Sequence, residues 1–443
     1  MNKKIIQEIV VIGLWHQGIV AAACLAELGF KVTAADLDAK KINNLSNGIP
    51  PIFEPGLEEL IKKGLKNERL KFVSDLSSAV KGKEFVFLMF DTKVDDNDIT
   101  DLKDIFESID KFSKSLNDDC IIYNTSQVPV GTNEELEKKI LEKNPEITFS
   151  IVYSPENLRL GQAIKLYLKP ALPVLGSNDE RALARLENFL QPFNVEWLKV
   201  NLRTAEVLKH ALNSYLATTI SFANELGNIC DEIGADGFEI AKALRLEPRI
   251  GDKAMLRPGM GFSGGTLARD VQTLRKIGTL KGINTFLLDG LWETNNYQNK
   301  FVIRKLEQIY GDLTDIKITI LGITYKPGTS TLRRSVALET IKSLISLGAK
   351  ISAHDPRADK EEIREIKEII TLDFHENVNE AIDKTDAIAV MTAWDDYLDI
   401  DWKSFKNKVS NPVLIDCNNL YDHKELTSLG YKYFCIGRGL KSI

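Results

Sequence analysis

The stretch Arg249–Asp270, RIGDKAMLRPGMGFSGGTLARD, has the residue types and spacing that most favour chemistry. It holds five glycines and one proline, a density that the interior of a helix or strand does not tolerate well. A helical pattern begins at Asp270, and a Gly-rich loop that leads into a helix presents backbone N–H groups and the positive end of the helix dipole. Arg249, Arg257 and Arg269 add positive charge. The stretch therefore predicts a site for an anionic ligand, and an ordinary surface loop is the alternative.

A second candidate site lies near the start of the chain. Glu8–Ile12 predicts a strand, Gly13 and Gly18 follow it, and an Ala-rich helical pattern comes next. Lys31–Ala35 predicts the following strand, and Asp36 closes it 23 residues after Gly13. This is the layout of a dinucleotide-binding βαβ unit, with phosphates at the helix start and a carboxylate for the ribose hydroxyls.

Dinucleotide-binding units usually have the pattern Gly-x-Gly-x-x-Gly. Here Gly13 and Gly18 are present, but Trp15 replaces the middle glycine. A NAD-binding unit and a plain βαβ core unit therefore both stay open on the motif alone. Asp36 favours NAD over NADP, since a carboxylate repels a 2′-phosphate. Glu84–Met89 predicts a buried parallel strand, and Asp91-Thr92-Lys93 follows it. Open α/β sheets bind ligands at this end of their strands, so Thr92 is a candidate cofactor contact.

The strand–helix–strand pattern returns in the last third of the chain. Lys317–Leu321 and Lys350–Ala353 are predicted strands on either side of a predicted helix, Val336–Leu347, while Asn201–Glu232 is the longest helical pattern. Two such units indicate an α/β fold with two Rossmann-like doubly wound domains, joined by a long central helix and a helical middle region. The predicted domains are 1–200, 201–311 with the Gly-rich loop, and 312–443.

Composition excludes several classes of function. The net charge of −6 over 443 residues, with both signs interspersed, argues against nucleic acid as the main partner. The sequence contains no run of 18 or more apolar residues, so no membrane-spanning segment is predicted. The first residues do not have the pattern of a signal peptide. Five widely spaced cysteines form neither a metal-ligand pattern nor a disulfide frame, which favours a cytoplasmic location. The acidic stretch Asp95–Asp101 is interpreted as a solvated loop rather than a metal site.

The centre of the Gly-rich stretch, Gly261–Asp270, reads GFSGGTLARD and resembles the catalytic loop of the UDP-glucose/GDP-mannose dehydrogenases, which usually reads GFGGSCFPKD. Three further segments are similar to segments of that family, namely Glu54–Leu57, Ser126–Thr132 and Ser154–Gly161. The resemblance covers nearly the whole chain. It implies NAD as cofactor, a nucleotide sugar as substrate with a UDP-sugar favoured, and a homodimer formed around the central helix.

The resemblance also implies roles for individual residues. The residues placed in catalysis are Lys209, Asn213, Thr266, Asp270, Glu156 and Gln127. The residues placed at the cofactor are Gly13, Trp15, Gly18, Asp36 and Thr92. The residues placed at the nucleotide sugar are Arg249, Arg257, Gly261, Phe262, Gly264, Lys326 and Arg333. Without the resemblance, Lys209 would be interpreted as a surface lysine, and Lys326 and Arg333 as parts of a basic solvated loop.

Thr266 stands where the family carries its nucleophilic cysteine, and Gln127 stands where a threonine of the catalytic site is expected. In the family, that cysteine captures the aldehyde formed by the first oxidation, and a second oxidation then gives a thioester that water cleaves to the acid. A threonine hydroxyl is a far weaker acid than a thiol. The sequence therefore predicts a nucleotide-sugar oxidoreductase that stops after one step. An ordinary two-step 6-dehydrogenase and a non-catalytic nucleotide-sugar-binding protein remain the alternatives.

Overall fold

The computed structural model describes residues 7–95, 100–263, 266–406, 408–409 and 411–440. The chain forms two compact units, Met1–Ala211 and Leu212–Ile443. Each unit is built on one β-sheet with helices on both faces. Within the described ranges, no helix combines the length and the apolar character needed to cross a membrane.

The first unit holds an eight-stranded sheet. Its strands are β1 (Glu8–Ile12), β2 (Lys31–Ala35), β3 (Leu70–Val73), β4 (Phe85–Leu88), β5 (Cys120–Asn124), β6 (Phe149–Tyr153), β7 (Val174–Gly176) and β8 (Leu198–Val200). Their order is β3-β2-β1-β4-β5-β6-β7-β8, and all neighbours are parallel except β6 and β7. The direction of winding reverses between β1 and β4, and in such sheets the ligand crevice lies at the carboxyl ends of the strands beside that reversal.

Helices cover both faces of this sheet. They are α1 (His16–Glu27), α2 (Ala39–Ser46), α3 (Leu57–Lys66), α4 (Leu76–Val80), α5 (Lys103–Phe112), α6 (Thr132–Lys143), α7 (Ala163–Leu168), α8 (Glu180–Phe189) and α9 (Leu202–Ile233), the last of which contains the boundary between the units. Alternate residues of β1 face opposite sides, as strand geometry requires. Ile9 and Val11 belong to one buried apolar cluster, and Val10 and Ile12 to the other. Two covered faces explain why the strand is a continuous apolar run.

The second unit holds a six-stranded, fully parallel sheet in the order β11-β10-β9-β12-β13-β14. Its strands are β9 (Lys317–Leu321), β10 (Lys350–His354), β11 (Asp373–His375), β12 (Ala387–Val390), β13 (Val413–Asp416) and β14 (Lys432–Cys435). Its helices are α10 (Gly237–Arg245), α11 (Leu267–Lys281), α12 (Phe286–Asn299), α13 (Phe301–Tyr310), α14 (Val336–Ser346), α15 (Lys360–Glu365), α16 (Val378–Ile382), α17 (Trp402–Phe405) and α18 (His423–Ser428).

The predicted fold class is confirmed, because both sheets have the order of a doubly wound α/β fold. The predicted long helix Asn201–Glu232 is α9, shifted by one residue at each end. One strand was not predicted: β8 follows β7 as the last strand of the first sheet. β8 has only three residues and two of them are exposed, so it carries no apolar pattern that a sequence reading detects.

Candidate active site

The turn between β1 and α1 brings backbone into very close contact. Gly13 has φ +92°, a conformation that favours glycine. A Cβ atom added at Gly18 would lie 1.7 Å from the carbonyl oxygen of Gly13, so only glycine fits at this point of α1. Both predicted glycines therefore serve the packing of the first helix turn against the strand, as the dinucleotide fold requires.

Asp36 ends β2 as a buried carboxylate that is firmly anchored. Its Oδ2 accepts from Leu14 N at 2.8 Å and lies 2.7 Å from Lys41 Nζ. Its Oδ1 accepts from Asp38 N at 3.0 Å. The predicted ribose carboxylate is thus held beside the turn that carries the glycines, and Lys41 is a partner that the sequence analysis did not identify.

Trp15 directly precedes α1 and has 48% of its surface exposed. It lines a cavity of about 240 Å³ together with Asp38, Lys41 and Ile49. The indole is therefore half-exposed at the wall of this cavity.

The N–H groups at the start of α1 already have an acceptor. Asp91 Oδ2 accepts from His16 N at 2.9 Å and from Gln17 N at 3.1 Å. Asp91 follows β4, the neighbour of β1 in the sheet, and the sequence analysis gave it no role. A charged residue directly after a central strand was the available signal. The βαβ turn and Asp36 fit NAD, whereas the helix start fits its phosphates only when Asp91 moves.

Thr92 and Gln127, predicted separately for cofactor and catalysis, lie together. Thr92 Oγ1 donates to the Gln127 carbonyl at 2.5 Å. The turn that follows Gln127 is fixed by Glu206, a fully buried carboxylate of α9. Glu206 accepts from Gly131 N at 2.7 Å, and from the backbone N at 3.1 Å and Nδ2 at 2.7 Å of Asn133. Glu206 is a positioning residue that the sequence analysis missed.

The structure brings Lys209 and the segment around Glu156 together. Lys209 is buried on α9, and its Nζ lies 3.4 Å from Asn157 Oδ1. Glu156 accepts from Leu158 N. Glu156 and Asn157 also line a cavity of about 70 Å³ whose other walls are mainly apolar, with Tyr123 among them. The predicted lysine and glutamate thus belong to one neighbourhood of the first unit.

Glu54 anchors the far end of the same segment. This carboxylate is buried and accepts from Gly161 N and Ala163 N, each at 2.8 Å. His16 Nε2 lies 3.3 Å from its Oε2. The Glu-Pro-Gly-Leu motif contained the signal for this residue, although the sequence analysis assigned it no function.

In the second unit, side-chain amides fix the Gly-rich loop. Gly259 N donates to Asn224 Oδ1 at 2.9 Å, and the Gly259 carbonyl accepts from Gln298 Nε2 at 2.7 Å. Asn295 Nδ2 donates to the Phe262 carbonyl at 3.0 Å. The Phe262 ring is buried in a small apolar cluster. Residues 259–262 of the loop are therefore held in place by side chains of α9 and α12.

Gly261 is the point where this loop lies closest to α12. A Cβ atom there would lie 2.4 Å from Asn299 Oδ1 and 2.6 Å from Asn295 Oδ1. Gly264, which was predicted to contact the nucleotide sugar, lies outside the described residues. Thr266 is exposed immediately before α11 and makes no side-chain capping hydrogen bond.

Asn213 and Asp270, both predicted for catalysis, contact each other. Asn213 Nδ2 donates to Asp270 Oδ2. Asp270 is fully buried, and its Oδ1 lies 3.7 Å from Arg269 Nε. An amide and a guanidinium therefore lie beside this buried carboxylate.

The predicted arginines of the substrate site are less closely gathered. Arg249 is exposed and pairs with Glu247 at 2.8 Å. Arg257 Nη2 donates to the Asn418 carbonyl at 2.9 Å, and both residues line a cavity of about 310 Å³. Arg257 is thus placed on a recess of the second unit, while Arg249 is engaged by a neighbouring residue.

Lys326 and Arg333 are exposed on the long loop after β9. The start of this loop is fixed by Asp355, whose Oδ2 accepts from Ile323 N at 2.8 Å and from Thr324 N at 3.0 Å. Asp355 directly follows β10, and Asp36 directly follows β2. In each unit, a carboxylate after the second strand therefore accepts a hydrogen bond from the backbone that follows the first strand. No group of three or more metal-ligand side chains converges anywhere in the described ranges. Residues 96–99 of the acidic stretch Asp95–Asp101 lie outside them.

Three family models match the chain in sequence. Residues 7–194 match the NAD binding domain, residues 203–297 the central domain and residues 319–423 the UDP binding domain of the UDP-glucose/GDP-mannose dehydrogenase family. The predicted resemblance is thereby confirmed, and so is the presence of an NAD-binding domain.

Individual relatives agree with these matches. The UDP-glucose 6-dehydrogenase TuaD of Bacillus subtilis (strain 168) is 35% identical over 434 residues, which are 98% of this chain and 93% of the relative. The UDP-glucose 6-dehydrogenase of Rhizobium meliloti (strain 1021) is 32% identical over 97% of this chain and 99% of its own length. The structure of a UDP-glucose dehydrogenase from the hyperthermophilic archaeon Pyrobaculum islandicum is similar with a TM-score of 0.84 and 28% identity, over 96% of this chain and 97% of that one. These matches span the chain, and the protein therefore belongs to the UDP-glucose/GDP-mannose dehydrogenase family of NAD-dependent nucleotide-sugar dehydrogenases.

Proposed function

We propose that the protein oxidises an alcohol of a nucleotide sugar, with a UDP-sugar as the favoured substrate, in a single two-electron step. The product is an aldehyde or ketone, and the same step can run in reverse. The observation that carries the proposal is Thr266, an exposed residue at the position where the family loop has its nucleophilic cysteine. A second oxidation needs a tetrahedral adduct at the aldehyde carbon, and a threonine hydroxyl forms one far less readily than a thiolate does.

The remaining thiols of the chain do not compensate for Thr266. All five cysteines are buried. Burial raises the pKa of Cys24, Cys120 and Cys435 to about 12, and it also raises the pKa of Cys230 and Cys417. The thiolate is the nucleophilic form, so none of these residues supplies one near neutral pH.

When held at the turn after β1 and beside Asp36, NAD would supply the acceptor for the hydride of the alcohol carbon. The hydroxyl proton goes to the Asp270 carboxylate, which Asn213 orients through its hydrogen bond. Lys209 stabilises the oxygen while negative charge develops on it. The C–H and O–H bonds break and a C=O bond forms, so the electrons balance with one molecule of NAD for each molecule of sugar.

The test is the number of NADH molecules formed for each nucleotide sugar consumed, with the product identified by mass spectrometry. A ratio near one with a carbonyl product supports the proposal, and Thr266→Cys is expected to raise the ratio toward two. A ratio near two with a uronic acid, at about one turnover per second or faster, identifies an ordinary two-step 6-dehydrogenase instead. Binding of nucleotide sugar without any turnover identifies a non-catalytic binding protein.

For the nucleotide sugar, we propose contacts with Lys209, the loop Arg257–Asp270 and Lys326. Support comes from the exposure of Lys326 and from the side-chain hydrogen bonds that hold Gly259 and Phe262 of the loop. Thermal shift with UDP-, GDP-, CDP- and dTDP-sugars tests this ligand class. Lys326→Ala is expected to reduce the shift, because charge-assisted contacts to phosphate are strong. The exposed Lys424 of the same unit is a matched control, and a panel without any stabilising ligand contradicts the proposal.

We further propose that residues 1–200 bind NAD, that residues 201–311 form the dimerisation region with the active-site loop, and that residues 312–443 bind the nucleotide sugar. The matched ranges of the family models support this division in outline. Exposed apolar side chains on α9 support a homodimer. Tyr215, Phe222 and Ile229 are 68%, 53% and 52% exposed, and their spacing of seven residues places them on one helix face.

A further inference from the structure

The start of α1 is capped by a side chain from the segment after β4 rather than by its own N-cap residue. Trp15 occupies the N-cap position and makes no side-chain capping bond. The acceptor is Asp91 Oδ2, which takes the N–H groups of His16 and Gln17 at 2.9 Å and 3.1 Å. These two partners lie 75 and 74 positions away in the sequence, so the contact depends on the adjacency of β1 and β4 in the sheet.

In the dinucleotide fold, the start of this helix is where the pyrophosphate binds. A pyrophosphate and the Asp91 carboxylate are both anions that need the same N–H groups, and they repel each other when both are present. The Asp91 carboxylate therefore competes with the pyrophosphate, because it occupies the N–H groups and because its negative charge repels the phosphates.

The backbone on both sides of this contact is fixed. Phe90 N donates to Ser126 Oγ at 2.9 Å, and the Phe90 carbonyl accepts from Gln17 Nε2 at 2.6 Å. Gln17 Oε1 also accepts from Thr125 Oγ1 at 3.0 Å. Because Phe90 and Gln17 are held in place, release of the two N–H groups requires rotation of the Asp91 side chain rather than movement of the strand.

We propose that Asp91 determines the affinity of the protein for its cofactor, because its carboxylate holds the helix N–H groups that the pyrophosphate needs and must swing away before NAD binds. This inference rests on the proposed function, in which NAD takes the hydride. It makes Asp91 a built-in competitor at the cofactor site, and it predicts weaker NAD binding than the fold itself allows.

The experiment is calorimetric titration of NAD into the wild-type protein and into the variants Asp91→Gly and Asp91→Asn. Asp91→Gly removes both the charge and the occupying atoms, and the dissociation constant for NAD is expected to fall about tenfold or more. Asp91→Asn removes the charge but keeps an acceptor oxygen, so a smaller gain in affinity is expected.

Asp179→Asn is the matched control. Asp179 caps α8 through Arg181 N at 2.9 Å and Ala182 N at 3.3 Å, in the same unit but as the N-cap residue of its own helix. This variant is expected to bind NAD as the wild type does. Thermal unfolding without NAD provides a second readout: Asp91→Gly loses a helix cap and should melt at a lower temperature than the wild type, yet NAD should raise its melting temperature by more.

The outcomes separate the inference from the function on which it rests. If wild type and both Asp91 variants bind NAD equally well, the cofactor assignment stands and the inference is wrong. If neither the wild type nor either Asp91 variant binds NAD, both the inference and the proposed function are wrong. If Asp91→Gly does not fold, Asp91→Asn decides, and an affinity equal to or weaker than that of the wild type overturns the inference.

Discussion

At the scale of single residues, Thr266 is the position with the clearest chemical consequence. It is exposed at the start of α11, where the helix dipole would favour a thiolate. We therefore predict that Thr266→Cys creates one rapidly reacting thiol in the folded protein. The folded wild type, whose five cysteines are all buried, should react with a disulfide reagent only on unfolding. Prompt reaction of the wild type would show that one of its own thiols is accessible and would contradict the argument that no other thiol compensates for Thr266.

Glu8 gives a prediction about pH. Hydrogen bonds to Lys83 and Lys31 lower the pKa of this carboxyl from 4.5 to about 2. Since the folded protein favours the ionised form, the contribution of Glu8 to the free energy of unfolding is complete above pH 4.5 and is lost as the pH falls toward 2. The carboxylate is largely exposed, so we expect Glu8→Gln to cost less than about 1 kcal/mol at pH 7.

Urea unfolding of wild type and Glu8→Gln between pH 7 and pH 3 measures this effect. The difference in free energy between the two should shrink below pH 4.5, whereas the exposed Glu142→Gln of α6 should show no such difference at any pH. A difference that stays constant down to pH 3 contradicts the assignment of the two lysines as the cause.

At the scale of elements, the Gly-rich loop gives a paired prediction. A Cβ atom at Gly261 would lie 2.4 Å from Asn299 Oδ1, whereas a Cβ atom at Gly259 meets nothing within 4 Å. Gly261→Ala must therefore displace the amide side chains of α12 or shift the loop away from that helix, and Gly259→Ala need do neither. We expect Gly261→Ala to weaken nucleotide-sugar binding by about tenfold, roughly 1.4 kcal/mol, and Gly259→Ala to leave it nearly unchanged. Calorimetry measures both, and equal losses in the two variants would mean that loop position does not matter.

The strands and helices also show which features of the fold and the site could be predicted from the sequence. Strands such as Glu8–Ile12 and Lys317–Leu321 have the predicted bounds, because a buried parallel strand is a continuous apolar run. Asp36 and the glycines of the first turn were predictable because their spacing belongs to one βαβ unit. Asp91 and Glu206 were not predicted as site residues, since each bonds to a partner 75 positions away. Such pairs depend on strand order and helix placement, which the periodicity of one segment does not encode.

At the scale of the whole molecule, a stripe of exposed apolar side chains is left on the second unit. We define the α9 stripe as Tyr215, Phe222, Ile229 and Ile233, which are between 52% and 69% exposed. Two members of the stripe, Ile229 and Ile233, line a groove of about 660 Å³ that also includes Tyr297 of α12. Isolated exposed apolar residues are ordinary on protein surfaces, but a contiguous apolar patch marks an interaction site.

We predict that a second copy of the chain covers the α9 stripe. Burial of apolar side chains from two copies removes them from water at both faces, and a two-fold arrangement brings the same residues of each copy together. Sedimentation equilibrium should therefore give twice the chain mass of 49.7 kDa. Phe222→Glu and Ile229→Glu should each shift the protein toward the monomer, because a carboxylate buried at the interface without a partner is strongly unfavourable. Ile370→Glu is the matched control, since Ile370 is 87% exposed and lies outside the stripe. A wild type that sediments as a monomer, or an equal effect of Ile370→Glu, would show that the stripe is not the dimer interface.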